Sequence, residues 1–67
     1  MDELIIDRLL TGAKIIRRYQ SSADIATGHD CIFFGNYDTR EEMKLDEQQQ
    51  MEDLGWYEDE EAWTLNI

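Results

Sequence analysis

His29, Asp30 and Cys31 stand in a row, and their side chains come nearest in this sequence to acid–base or nucleophilic chemistry. A histidine oriented by a carboxylate is a ready general base. Neighbours on an extended segment, however, point to opposite sides, so Asp30 does not orient His29. A strand-edge histidine making one hydrogen bond explains the same residue with less. A thiol acts as a nucleophile where a positive neighbourhood favours the thiolate. The residues around Cys31 are acidic and apolar, so it reads as a buried structural thiol. Asp59–Glu61 carries the hard oxygen ligands that Ca²⁺ or Mg²⁺ takes, without the spacing and central glycine of an EF-hand. No paired Cys-x-x-Cys and no glycine-rich phosphate loop occurs. The expectation is a protein that is not an enzyme and takes no cofactor and no metal.

Charge is the unusual quantity. Sixteen acids against six bases leave a net charge of −10 on 67 residues. Residues 1–20 hold three acids and four bases, and residues 21–67 hold thirteen acids and two bases, so the whole excess lies in the later segment. A field of that sign opposes direct binding of nucleic acid or an anionic membrane surface. It favours a basic protein partner, a cation, or simple solubility. Asp46, Glu47, Glu52, Asp53, Glu58, Asp59, Glu60 and Glu61 are the candidate partner-binding residues, read as one carboxylate ridge. The competing reading is a solvated face that keeps a small protein in solution.

The elements that must position these residues follow from periodicity. A chain this short buries only about 60% of its unfolded surface, which makes one domain, residues 1–67. The apolar fraction of 42% and the two Trp, three Tyr and two Phe are enough for a folded core. Residues 3–19 read as an amphipathic helix. Ile5, Leu9, Ala13 and Ile16 share one face, Ile6 and Leu10 widen it, and Leu4 and Ile15 lie off the stripe. Asp2 and Glu3 suit its positive end, and Arg17 and Arg18 its negative end. Residues 20–28 read as a loop, 30–34 as a strand, and 36–38 as a turn. The second helix has its firm part at 46–54 and a turn or frayed start at 40–45. Thr39 with Glu42, and Asp46 with Gln49, are rival caps. Gly55 suits the left-handed position after that helix. Residues 56–58 and 62–67 read as a hairpin around 59–61, in which Trp63, Leu65 and Ile67 alternate with Ala62, Thr64 and Asn66.

The expected fold class is therefore α+β, ordered α-β-α-β-β, with a three-stranded, mainly antiparallel sheet and two helices on one face. Both faces of the 30–34 strand are apolar, Cys31 and Phe33 on one and Ile32 and Phe34 on the other. Two helices cover only one of them. The second face, with Tyr57, is either ordinary partial exposure or a surface for association. The aromatics lack the interleaved basic residues that a nucleic-acid platform needs.

The stretch His29-Asp30-Cys31-Ile32-Phe33-Phe34-Gly35, followed by Leu54-Gly55-Trp56-Tyr57, Asp59-Glu60-Glu61 and Trp63, resembles a group of small acidic phage and prophage proteins. They are alike in an amphipathic first helix, an HD-aromatic-G strand and an "LGW…DEE…W" hairpin. The resemblance implies a mobile-element origin. It points to the broad class of phage inhibitors of host defence, anti-CRISPR and anti-restriction proteins among them, some of which imitate DNA.

The leading expectation is a phage-type inhibitor of host defence. It docks an acidic, DNA-mimicking surface on a basic, nucleic-acid-binding host protein and binds no nucleic acid or membrane itself. The alternative is a small structural or adaptor protein that associates through apolar surface, Leu4 with Ile15 or the open sheet face, as a homodimer or complex. The single cysteine and the longest apolar run, Cys31–Phe34, fit a reducing host-cell cytoplasm, with no leader peptide and no membrane span.

Overall fold

A computed structural model describes residues 4–67. In chain order it has helix α1 (Ile5–Tyr19), strands β1 (Ile25–Thr27) and β2 (Cys31–Asn36), a 3₁₀ turn (Tyr37–Glu41), helix α2 (Leu45–Asp53), and strands β3 (Tyr57–Asp59) and β4 (Ala62–Asn66). The class is α+β, as expected. The sheet has four strands rather than three, in the order β1-β2-β4-β3, and every pairing is antiparallel. The added strand is β1, which lies in the segment read as a loop. Its three residues are too few to show an alternation. It forms because the turn at Gly28 folds it back on β2, with the Gly28 N–H donating to the Cys31 carbonyl at 2.8 Å. The expected helix start at residue 3, and the placement of Asp2 and Glu3, lie outside the described residues.

α1 buries part of the expected stripe, with Ile16 in the core and Leu9 packed against it, but the buried face is rotated away from Ile6 and Leu10. Ile16 and Ile15 are buried, at 0% and 3% exposure, whereas Ile6 and Leu10 remain about half exposed at 53% and 52%. Gly12 decides this rotation. The Trp56 indole lies so close to it that an added Cβ would collide with the ring. The indole N–H donates to the Arg8 carbonyl at 3.1 Å, and Arg8 Nε donates to the Leu54 carbonyl at 2.6 Å. The face centred on Gly12 is thereby turned inward. Ile15, expected off the stripe and offered with Leu4 as an association surface, belongs to the core.

α2 begins at Leu45, after Lys44, and neither Thr39 nor Asp46 caps it. Instead the Glu47 carboxylate reaches back to accept the Lys44 N–H at 2.9 Å. The helix ends as its sequence suggested. Gly55 takes φ 95°, the Gly55 N–H donates to Glu52 and the Trp56 N–H to Met51, which is the paired closure of a Schellman ending.

Both helices contribute to one core with the sheet: Ile15, Ile16, Met43, Met51, Leu54, Trp56, Trp63 and Leu65. Trp63 and Leu65 alternate as expected. Thr64, expected to point outward, is also buried, at 0% exposure. It stands on a central strand directly between Phe33 of β2 and Tyr57 of β3, which close over it. The Tyr57 hydroxyl donates to Asn66 Oδ1 at 2.7 Å. The sheet face away from the helices is thus partly covered by its own cross-strand neighbours.

The β3–β4 hairpin turns on two residues, Glu60 and Glu61, with φ 52° and 65°. That left-handed pair suits Asn-Gly, and it costs an ordinary side chain of order 1 kcal/mol per residue. Replacing Glu60→Asn and Glu61→Gly together is expected to stabilise the fold by about 1–2 kcal/mol, measured by urea unfolding. An unchanged midpoint would show that the turn carries no strain.

Candidate functional site

The site is built on a contact the sequence does not announce. Thr39, inside the 3₁₀ turn and 4% exposed, accepts a hydrogen bond from the Trp63 indole N–H at 2.9 Å and donates to the Asn36 carbonyl at 2.8 Å. The Tyr37 ring packs on Trp63 with centroids 4.5 Å apart and planes tilted by 52°. The Tyr37 N–H donates to the Glu61 carbonyl at 2.9 Å. From the other side Gln48 of α2 donates to the carbonyls of Arg40 and Met43, at 2.9 and 3.1 Å. The turn is therefore held between the hairpin and α2.

This brings carboxylates together. An open depression of about 520 Å³ is lined by Asn36, Tyr37, Asp38, Arg40, Glu41, Glu58 and Glu61. Asp38 and Glu41 share a face because residues three apart superpose along a 3₁₀ helix. Glu58 is opposite Trp63 in the sheet and points to the helix-bearing side. Four acidic residues thus share the lining of this depression with one basic residue, Arg40. Arg40 reaches outward to Glu52 at 3.8 Å, while its buried Nε meets no hydrogen-bond partner.

The expected ridge of eight acids divides. Glu58 and Glu61 stand in this groove, and Glu52 adjoins it through Arg40. Glu60 occupies the exposed hairpin tip. Asp59 alternates to the other sheet face, on the side of Tyr57. Burial, helped by the acidic side chains of Asp59 and Asp30, pushes the Tyr57 hydroxyl above its ordinary range. Asp46 and Asp53 are exposed on α2, where Asp46 accepts the Glu47 N–H at 2.9 Å and Asp53 accepts from Gln49 at 3.0 Å.

Glu47 departs from the ridge altogether. It is 7% exposed and turned inward. It accepts from the Tyr19 hydroxyl, from Lys44 N–H, and from Arg18 at 2.8 Å. The Tyr19 hydrogen bond, then the Lys44 N–H and Arg18, hold its carboxyl below the ordinary range against the effect of burial. The same bond raises Tyr19. Glu47 is a tie between the C-terminal end of α1 and the start of α2.

Asp38 and Glu41 were absent from the expected ridge. Their i, i+3 spacing was a usable signal, but only for a reader who knew that the segment is 3₁₀. His29 and Asp30 lie exposed in the β1–β2 turn and Cys31 is buried on β2. Among the described residues no group of His, Cys, Asp and Glu is arranged to hold a metal ion, and no helix is long and apolar enough to cross a membrane. No protein-family model, curated protein or solved structure matches the chain.

The depressed Glu47 carboxyl stabilises the fold above its ordinary value of 4.5, and that contribution is lost as pH falls through the lower folded value. Glu47→Ala is expected to cost about 1–3 kcal/mol near neutrality, mainly from the orphaned Tyr19 hydroxyl and Lys44 N–H, since Arg18 stays largely solvated. Urea unfolding as a function of pH checks this. The variant should show a shallower acid-side loss of stability than the wild type, and parallel curves would contradict the assignment.

Proposed function

We propose that this chain binds a basic protein surface through the acidic face formed by the 3₁₀ turn, the outer side of α2 and the β3–β4 hairpin. The observation that supports this best is the groove itself. Asp38, Glu41, Glu58 and Glu61 line one concavity, and Arg40 is the one basic residue in its lining. Asp46, Glu52 and Asp53 on α2 and Glu60 at the hairpin tip extend the negative field around it, while Asp59 lies on the other sheet face. Glu47 contributes to the position of α2 and makes no contact with the partner.

The occupant is a nucleic-acid-binding protein of the host cytoplasm, and the role is that of a phage-type inhibitor of host defence, anti-CRISPR-like in mode. B-DNA offers such a protein one phosphate charge about every 1.7 Å of axis. A concentrated carboxylate surface competes for the same lysines and arginines and speeds encounter by long-range attraction. The charge of −10 and its confinement to residues 21–67 favour this over a neutral contact.

Capture from host lysate, followed by mass spectrometry, identifies the partner, and its affinity is then measured against salt. Glu58→Lys with Glu61→Lys is expected to weaken binding by roughly tenfold or more at low salt and to flatten the salt dependence. Double-stranded DNA is expected to displace the wild-type protein. An affinity indifferent to the charge reversal, to salt and to DNA would overturn the proposal.

A further inference from the structure

One edge of the sheet escapes the acidic surface. β1 is outermost on one side and β3 on the other. An open edge offers backbone groups to any passing strand, and proteins guard edges with charge, proline or bulges. The β3 edge carries Glu58 and Asp59 and runs into Glu60 and Glu61. β1 reads Ile25-Ala26-Thr27, with neither charge nor proline, and all three residues are exposed.

The hydrogen-bonding alternation of β1 is fixed at its turn. Gly28 donates to Cys31, so Ala26 bonds inward to Phe33, while Ile25 and Thr27 direct N–H and C=O away from the sheet. The outward Ile25 N–H is met only by its own neighbour, Asp24 Oδ1, at 2.8 Å. Ile25 is 51% exposed on the helix-bearing side, being opposite Phe34. α1, which packs on β2 next to this strand, presents Ile6, Leu10, Lys14 and Arg17 to solvent.

We propose that the β1 edge docks a second copy of this chain, by two-fold antiparallel pairing of β1 with β1 that joins two four-stranded sheets into one. The strand is self-complementary. Centred on Ala26, the pairing sets Ile25 against Thr27 of the other copy twice over, and these are the residues whose backbone groups face outward. The two Ala26 residues meet at the non-hydrogen-bonded centre, where strands approach to about 4.5 Å between Cα atoms and a methyl group fits. Asp24 falls opposite the other copy's Gly28, next to His29.

Charge selects the same edge. Residues 21–30 hold two acids, Asp24 and Asp30, against ten among residues 41–61, and the solvent side of α1 carries Lys14 and Arg17 with Asp7. A chain of net charge −10 approaches its own copy with least repulsion there, whereas a basic partner is drawn to the opposite end of the sheet. The two-fold axis stands perpendicular to the sheet. Both α1 helices therefore lie on one side, and Ile25 of each copy stands at the junction on that side.

Light scattering across micromolar to millimolar concentrations tests this. The wild type is expected at twice 7.9 kDa, with dimerisation strengthened by added salt. Ile25→Lys adds a guarding charge at a half-exposed position, and Thr27→Pro removes only an outward N–H. Each is expected to weaken dimerisation by roughly tenfold or more with unchanged far-UV circular dichroism. Glu58→Lys with Glu61→Lys, at the other end of the sheet, is expected to leave the dimer intact. A wild type of 7.9 kDa at every concentration, or a dimer that survives both edge variants, would overturn the proposal.

Discussion

The hydrogen bond from the Trp63 indole to the Thr39 hydroxyl holds the most strongly like-charged part of the molecule together. Buried, that bond joins the central strand β4 to a short 3₁₀ turn that has little stability of its own. Without it nothing in the turn's composition would keep Asp38 and Glu41 beside Glu58 and Glu61. Tyr37 stacked on Trp63 and Gln48 bonded to the Arg40 and Met43 carbonyls reinforce the same junction.

A second tie acts at the far end of the helix pair. Glu47 gathers Tyr19, Arg18 and the Lys44 N–H, while Arg8 and Trp56 link the start of α1 to the end of α2. The helices are thereby fixed antiparallel across the sheet. One end of the sheet is left to the acidic hairpin and the other to the uncharged β1. A single fold presents two chemically distinct edges, so the proposed basic partner and the proposed second copy would dock at separate places.

The legible parts of the fold were those governed by neighbours in sequence. α1, the Gly55 ending of α2 and the tryptophan-bearing hairpin all follow from local periodicity or turn chemistry. β1 was missed because three residues display no period, and its partner strand alone makes it a strand. The buried face of α1 was placed too far toward Ile6 and Leu10 because Gly12 counts for nothing on a hydrophobic wheel, yet its missing side chain admits Trp56, a residue distant in sequence. The acids were read correctly as an excess but not as an arrangement. Glu47 has the same side-chain chemistry as its exposed neighbours, and only Tyr19 and Arg18, on another helix, turn it inward.

If the acids lining the groove are held together against their own repulsion, the fold is more stable without their charge. The direct measurement is urea unfolding of the wild type and of a variant combining Asp38→Asn, Glu41→Gln, Glu58→Gln and Glu61→Gln, at low ionic strength. The variant should be more stable by about 1 kcal/mol, with the difference shrinking as sodium chloride is added. A variant less stable than the wild type would mean that the carboxylates support the fold, and the groove would lose its standing as a recognition surface.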